Sequence, residues 1–182
     1  MQLVLFDRDG TLLVDPQDER VDSVEKIQFF PDTLDALRLL SEHDIAIVII
    51  TNQAGIAEGR MTEQKFWDIH QVVLERLRPS GIKILKTYLN GEAMGAVSKW
   101  RKPAPGMLLQ AAKDFNLNLT DSYMVGDRRS DVQAGINAGT KTILVMTGSA
   151  GGETPESTFT APNLMAAAEY LVAHYTTDKK QG

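Results

Sequence analysis

Residues 45–50 read Ile-Ala-Ile-Val-Ile-Ile, a run that is apolar throughout and largely β-branched. This run predicts a strand that is buried on both faces, because a strand with one wet face would alternate apolar and polar residues. Strands of this kind are typical of parallel sheets that helices cover on both sides. The run ends at Thr51-Asn52-Gln53, so polar side chains follow the strand directly.

The same kind of pattern recurs along the chain, where short apolar runs alternate with segments of helical period. Strands that alternate with helices predict an α/β fold, namely a doubly wound, mainly parallel sheet of the Rossmann type. We expect a single domain over residues 1–176, a polar tail over 177–182 and a small hairpin-like flap over residues 12–20. Strands are predicted near residues 3–5, 45–50, 82–89, 123–126 and 141–146, and helices over residues 31–43, 62–78, 105–115, 130–138 and 163–174.

Two carboxylates follow the first strand, in the stretch Asp7-Arg8-Asp9-Gly10-Thr11. Residues two apart in an extended chain point to the same side, so Asp7 and Asp9 can reach one site. Carboxylates this close repel each other, and one tends to keep its proton unless a cation lies between them. That asymmetry suits one carboxyl as nucleophile and the other as proton donor. Surface turns and calcium loops use similar residues, but no acidic residue follows at the spacing of an EF-hand.

Polar side chains also follow the second and fourth strands, where Asp127 and Asp131 are added to the first acid pair. Ligands of such sheets bind outside the carboxyl ends of the strands, so we expect these groups to meet at one place. Four carboxylates in one crevice require a cation, and Mg²⁺ fits because it prefers oxygen ligands. Lys102 can supply a point charge, and Thr51 and Asn52 can supply uncharged donors, to a phosphoryl group.

The composition is typical of a globular domain and argues against several other classes of protein. With 182 residues, of which 43% are hydrophobic and 24% charged, the chain has the make-up of one globular domain. A net charge of −5 argues against non-specific binding of nucleic acid. The absence of cysteine excludes disulfides and thiolate metal sites. No apolar stretch reaches the length of a membrane span and no signal peptide is evident, so we expect a cytoplasmic protein that does not contact the membrane.

Taken together, these residues resemble the signature of the haloacid dehalogenase (HAD) superfamily of phosphatases, over most of the chain from Leu3 to about Gly148. The resemblance implies that Asp7 attacks phosphorus to form an aspartyl-phosphate, while Asp9 protonates the leaving alcohol and later activates water. It implies Mg²⁺ held by the Asp7 carboxylate, the Asp9 main-chain carbonyl and Asp127, with Asp131 nearby or just outside the direct ligands. The matching motifs are Asp7-Arg8-Asp9-Gly10-Thr11, Thr51, Lys102, and Gly126-Asp127 with Asp131.

Finer details resemble one subgroup, the heptose 1,7-bisphosphate phosphatases and their histidinol-phosphate phosphatase relatives, which lack a large cap domain. The resemblance implies removal of the 7-phosphate of D-glycero-D-manno-heptose 1,7-bisphosphate, a precursor of the lipopolysaccharide core, by a monomeric enzyme. The details are Arg8 between the acids, residues 51–56 (Thr-Asn-Gln-Ala-Gly-Ile), Arg101-Lys102-Pro103 and Gly126-Asp127-Arg128. The implied substrate-binding residues are Asp15, Asp18, Gln53, Arg101 and Arg128.

The chain departs from this subgroup at two places. Members with a structural zinc carry a cysteine-rich loop before the Arg-Lys-Pro segment, whereas residues 89–100 here contain no cysteine. Relatives commonly have arginine where Glu58 stands, and this chain has Arg60 close by instead. Both departures bear on the substrate rather than on the chemistry.

Other functions are compatible with parts of the pattern. Histidinol phosphate and a polynucleotide 3′-phosphate are alternative substrates, although a polynucleotide requires a basic groove that conflicts with the net charge of −5. A receiver-like signalling domain also phosphorylates an aspartate with Mg²⁺, a threonine and a lysine. Receivers, however, are shorter and place their acidic pair after the first strand and the phosphorylated aspartate after a later one.

Overall fold

The computed structural model describes residues 2–16, 20–148 and 156–178. Its strands form one sheet in the order β3-β2-β1-β4-β5-β6, and every neighbouring pair is parallel. The predicted doubly wound α/β fold is therefore confirmed. The strands are β1 (Gln2–Phe6), β2 (Ile45–Asn52), β3 (Ile84–Asn90), β4 (Tyr123–Gly126), β5 (Lys141–Val145) and β6 (Phe159–Ala161).

Helices connect the strands at boundaries that the sequence marks chemically. The Thr62 side chain caps α2 by accepting a 3.1 Å hydrogen bond from the Lys65 backbone N–H. Gly139 ends α4 in the left-handed conformation, with φ of 85°, which costs glycine little. The helices are α1 (Thr33–Glu42), α2 (Glu63–Leu77), α3 (Gly106–Phe115), α4 (Arg129–Ala138) and α5 (Leu164–Asp178). Among the described residues, none of them has the length and apolar character that a membrane crossing needs.

The sheet separates two hydrophobic cores. Val4 and Phe6 of β1 face the core formed with α1, α2 and α5, whereas Leu3 and Leu5 face the core formed with α3 and α4. Successive side chains of a strand point to opposite faces, so a strand that is covered on both sides must be apolar at every position. This arrangement explains why β2 carries an unbroken apolar run.

Three details differ from the sequence prediction. The three-residue strand β6 was not predicted, and α5 continues to Asp178 rather than ending at residue 174. The expected hairpin is not formed by the described residues, because Leu13 instead bridges Phe29 in antiparallel fashion and the Val14 N–H donates to the Gln28 carbonyl at 2.8 Å. Residues 17–19 of the expected flap, including Asp18, and residues 179–182 of the expected tail lie outside the described residues.

Candidate active site

The site lies where the strand order reverses direction. From β1 the chain proceeds to β2 and β3 on one side, and β4, β5 and β6 follow on the other side. At such a switch point the loops that leave neighbouring strands diverge and open a crevice at the carboxyl edge. Asp7 follows β1 and Asp127 follows β4, and the Asp7 N–H donates to the Val125 carbonyl at 2.8 Å.

Asp7, Asp127 and Asp131 form a compact carboxylate group. Each offers one oxygen such that all three atoms lie within 4.8 Å of one another, and all three residues are buried. Gly10 and Gly148 pack against Asp127 so closely that a Cβ on either glycine would overlap its carboxyl group. The Asp127 Oδ2 atom is buried and lacks a hydrogen-bond partner among the described residues, although Arg128 Nε lies 3.7 Å away.

Lys102 is the cation at the centre of this group. Its Nζ contacts Asp7 Oδ1 at 2.7 Å and Asp131 Oδ1 at 2.6 Å, and it donates to the Ile50 carbonyl at 2.9 Å. Burial opposes the charge of Lys102, but Asp131 and Asp7 outweigh burial and raise its pKa to about 12. The ammonium therefore stays charged at neutral pH.

The single ammonium of Lys102 does not offset the negative charge of all three carboxyl groups. Burial, reinforced by the like charges of Asp131 and Asp127, raises the pKa of Asp7 well above its ordinary value in spite of Lys102. Burial and Asp131 likewise raise the pKa of Asp127 to about 6. Three carboxylates and one ammonium leave two excess negative charges when all are ionised, which is the charge of one divalent cation.

Asn52 fixes the backbone that presents Lys102. Its side-chain Nδ2 donates to the Lys102 carbonyl at 3.1 Å, and its Oδ1 accepts the Lys102 N–H at 3.2 Å. The sequence interpretation made the Asn52 side chain a phosphate donor. Here both polar atoms of that side chain are bonded to the main chain of Lys102, which positions Lys102. The amide nitrogen keeps a second hydrogen and Asn52 lines the cavity, so its contact with phosphate stays a prediction. Thr51 is buried at the same strand end, and its Oγ1 accepts from Gln53 Nε2 at 3.0 Å.

Asp9 lies at the border of the cavity and is held from two sides. Gln53 Nε2 donates to Asp9 Oδ2 at 2.6 Å. Arg8 Nε donates to Oδ1 at 3.1 Å and to Oδ2 at 3.0 Å, and Arg8 Nη2 lies 2.9 Å from Oδ2. The Thr11 hydroxyl, from the turn after β1, donates to Asp127 Oδ1 at 3.3 Å.

A cavity of about 320 Å³ opens above these groups, at the lower end of the sizes typical of small-molecule sites. Thr51 and Asp127 are buried and are not among the residues that line it. Sequence-predicted residues that line it are Asp7, Asp9, Asp15, Asn52, Gln53, Arg101, Lys102, Arg128 and Asp131.

Further residues line the cavity, and of these the sequence analysis had connected Glu58 and Arg60 with the substrate. Arg20 Nη2 pairs with Glu58 Oε2 at 2.8 Å, and Arg60 Nε lies 3.2 Å from the same oxygen. Met94, from the loop without cysteine, also borders the cavity. Arg20 and Met94 belong to irregular loops, and no periodicity or motif marks the direction of their side chains. The only sequence feature that could have indicated Arg20 and Met94 is that each belongs to a loop near a predicted strand end.

Comparisons with known proteins agree with this geometry. A family model described as HAD-hydrolase-like matches residues 99–172. The D-glycero-beta-D-manno-heptose-1,7-bisphosphate 7-phosphatase of Yersinia pestis is 39% identical over 154 residues, which cover 80% of each protein. The histidine biosynthesis bifunctional protein HisB of Spirosoma linguale is 35% identical over 147 residues, and the match spans 80% of this chain but 38% of that protein.

A solved structure shows the same relationship over nearly the whole chain. The D,D-heptose 1,7-bisphosphate phosphatase from B. bronchiseptica, complexed with magnesium and phosphate, gives a TM-score of 0.88 at 29% identity and covers 96% of this chain and 99% of its own. The chain belongs to the haloacid dehalogenase superfamily of phosphatases and, within it, to the family of the heptose-1,7-bisphosphate 7-phosphatases.

Proposed function

We propose that this phosphatase works through a covalent intermediate on Asp7. A carboxylate oxygen of Asp7 attacks phosphorus, the bond from phosphorus to the leaving alcohol breaks, and Asp9 gives its proton to that alcohol. Water then attacks the aspartyl-phosphate while Asp9 takes a proton from it, which releases phosphate and restores both residues. The observation that carries this proposal is the meeting of Asp7, Lys102, Asp127 and Asp131 below a cavity that Asp9 borders.

The residues present fit Mg²⁺. Asp7, the main-chain carbonyl of Asp9 and Asp127 would hold it, and the excess negative charge and the unpartnered Asp127 Oδ2 support this ligand set. When bound, the ion would offset the negative charge of the carboxylates and of the phosphoryl oxygens. Asp131 is engaged otherwise, because it pairs with Lys102 and accepts the Arg128 backbone N–H at 3.0 Å. We therefore place Asp131 outside the direct ligands.

Lys102 and Thr51 would receive the phosphoryl oxygens. Lys102 already contacts the Asp7 carboxylate at 2.7 Å, so its charge lies next to the point of attack. The Thr51 hydroxyl accepts from Gln53 and keeps its own hydrogen to donate. Phosphoryl transfer depends mainly on positioning and charge neutralisation of this kind.

The preferred substrate is D-glycero-D-manno-heptose 1,7-bisphosphate, from which the enzyme would remove the 7-phosphate. The relatives and the similar solved structure named for this substrate support the choice. Arg101, Arg128 and Asp15 line the cavity. Arginine suits a second phosphate because its planar guanidinium can bind two oxygens at once.

Histidinol phosphate is the second candidate, supported by the similarity to the bifunctional HisB protein. Initial rates of phosphate release should be compared for heptose 1,7-bisphosphate, histidinol phosphate and a 3′-phosphorylated oligonucleotide. We expect the highest kcat/KM on the heptose bisphosphate. A higher value on histidinol phosphate would replace the substrate but not the chemistry, and no release from any phosphomonoester would refute both. A monomeric state and a cytoplasmic location remain predictions.

A further inference from the structure

Arg8 is the largest of the fully buried side chains among the described residues, with an exposed fraction of 0%. Arginine keeps its charge under all ordinary conditions, and a buried charge is unfavourable unless an opposite charge accompanies it. The residue does not border the cavity. Its guanidinium therefore acts on a neighbouring group rather than on a substrate.

That neighbouring group is Asp9. Arg8 Nε donates to both Asp9 oxygens at 3.1 and 3.0 Å, and Nη2 lies 2.9 Å from Oδ2. Within the described residues, Asp9 is the one carboxylate found paired with Arg8. Arg8 Nη1 and Nη2 have no hydrogen-bond partner there, and Nη2 contacts Asp9 as an ion pair only. The carboxylate that offsets the charge of Arg8 is therefore that of Asp9.

The other face of Arg8 is fixed by α2. The guanidinium carbon lies 4.7 Å from the centroid of the Phe66 ring, a cation–π arrangement. Phe66 in turn stacks on His70 with 5.5 Å between the ring centroids and 9° between the planes. His70 Nε2 lies 2.8 Å from Thr87 Oγ1 on β3. A buried layer therefore holds Arg8 in one orientation.

We propose that Arg8 is a positioning residue, which together with Gln53 holds the Asp9 carboxyl at the cavity border so that its proton reaches the leaving-group oxygen. The inference rests on the proposed role of Asp9 as general acid. Gln53 contacts only Oδ2 of Asp9, whereas Arg8 contacts both oxygens. Without Arg8 the carboxyl can rotate about its last side-chain bond.

The test uses Arg8→Met, which keeps an unbranched apolar side chain in the buried site but removes the guanidinium and its charge, and Arg8→Lys, which keeps a charge. Both are measured on a sugar phosphate and on p-nitrophenyl phosphate, whose leaving group needs little protonation. Because general acid help contributes about 10²–10⁴-fold, we expect Arg8→Met to lower kcat/KM on the sugar phosphate roughly 10- to 100-fold and on the aryl phosphate less than about 3-fold. Arg8→Lys should recover part of the loss on the sugar phosphate.

The decisive measurement repeats Arg8→Met in the Asp9→Asn background, where no further loss on the sugar phosphate is expected. Equal losses on both substrates, or a loss that persists without Asp9, would overturn the role of Arg8. Arg38→Met is the matched control, because it removes an exposed arginine that pairs with Asp35 away from the site. If Arg8→Met fails to fold, the substrate ratio and the Asp9→Asn background are applied to Arg8→Lys.

The same data separate this inference from the proposed function. If Asp9→Asn alone slows both substrates equally, Asp9 is not the acid, and the proposed mechanism fails whatever Arg8 does. If Asp9→Asn shows the expected selectivity and Arg8→Met does not, only the role of Arg8 is refuted.

Discussion

At the scale of single residues, the proposed mechanism depends first on Asp7, the nucleophile. Asp7→Asn keeps the shape of the side chain but removes the attacking charge, so we expect turnover to fall to background on every phosphomonoester. Folding should survive, because the substitution also removes one of three crowded carboxylates. Phosphate release measures the first effect, and circular dichroism with thermal unfolding measures the second. Activity retained by a folded Asp7→Asn protein would end the covalent mechanism.

Asn52 tests whether the position of Lys102 matters. Asn52→Ala removes two hydrogen bonds to the Lys102 backbone. Since each is worth about 1 kcal/mol, and the two together about 2 kcal/mol, we expect kcat/KM to fall by up to roughly 30-fold. The loss should be equal on sugar and aryl phosphates, because Lys102 acts on the nucleophile and the phosphoryl group rather than on the leaving group. A loss confined to sugar phosphates would mean that Asn52 contacts substrate instead.

At this scale the sequence predicted which residues meet but not how each side chain is used. Asp7, Thr51 and Asp127 could be placed because they follow buried strands, and parallel strands bring their ends together. The turn of Asn52 toward Lys102 and of Arg8 toward Phe66 depends on contacts between distant segments. No local pattern encodes such contacts.

Among the secondary-structure elements, α2 carries the buried His70, whose ring stacks on Phe66, and Phe66 in turn packs against Arg8 next to the site. Burial lowers the pKa of His70 from 6.5 to about 4, and the charge of Arg8 acts in the same direction. The unfolded chain therefore binds more protons than the folded one between pH 6.5 and about 4, and the free energy of unfolding falls as the pH decreases through that range. Above pH 6.5 His70 contributes no such dependence.

We expect His70→Gln to remove this part of the acid sensitivity. Between about pH 7.5 and pH 4.5, the free energy of unfolding of the variant should fall by roughly 2–3 kcal/mol less than that of the wild type. Denaturant unfolding of both proteins at the two pH values measures the difference, in which the titration of all other groups largely cancels. Equal losses in the two proteins would show that His70 accepts a proton freely while folded.

The elements themselves were predictable to different degrees. Helices with a clear cap, such as α2 after Thr62, began where the sequence indicated. The three-residue β6 is too short for a period to be visible, and its pairing with β5 gives it strand structure. Leu13, at the start of the expected flap, pairs with Phe29, a partner beyond the expected hairpin, and residues 17–19 of that flap lie outside the described residues.

The fold of the whole molecule brings three carboxylates together at the carboxyl edge of the sheet, and this predicts that activity depends on Mg²⁺. We expect a chelator to abolish activity and added Mg²⁺ to restore it. Saturating Mg²⁺ should also raise the midpoint of thermal unfolding, since a ligand at about 100 times its Kd stabilises by about 2.7 kcal/mol. Sodium chloride at equal ionic strength is the control, and Asp127→Asn should lose the effect. A chelated protein with full activity would contradict the ligand set.

Substrate choice also belongs to this scale, because the cavity wall is built from several separate loops. Arg101 borders the cavity, and its Nη1 donates to the Glu92 carbonyl at 3.0 Å. If Arg101 binds the second phosphate, Arg101→Ala removes a charged hydrogen bond worth about 1.5–3 kcal/mol and lowers kcat/KM on a sugar bisphosphate roughly 10- to 100-fold. An aryl monophosphate should be affected less.

Arg129→Ala serves as the matched control for Arg101, because Arg129 is exposed and pairs with Glu156 outside the cavity. Equal losses on bisphosphate and aryl phosphate would reduce Arg101 to a general counter-charge.

The position of β1 between β2 and β4 has a consequence for synthesis of the protein. Residues Thr11 and Asp127, which touch through a hydrogen bond, are 116 positions apart, and Lys102 is 95 positions from Asp7. A nascent chain emerges N-terminus first, so β1, β2 and β3 are made long before β4. Until then the β4 side of β1 presents unpaired backbone groups, a surface prone to association. The strand that precedes the nucleophile is thus an open edge during translation, although it lies inside the finished sheet.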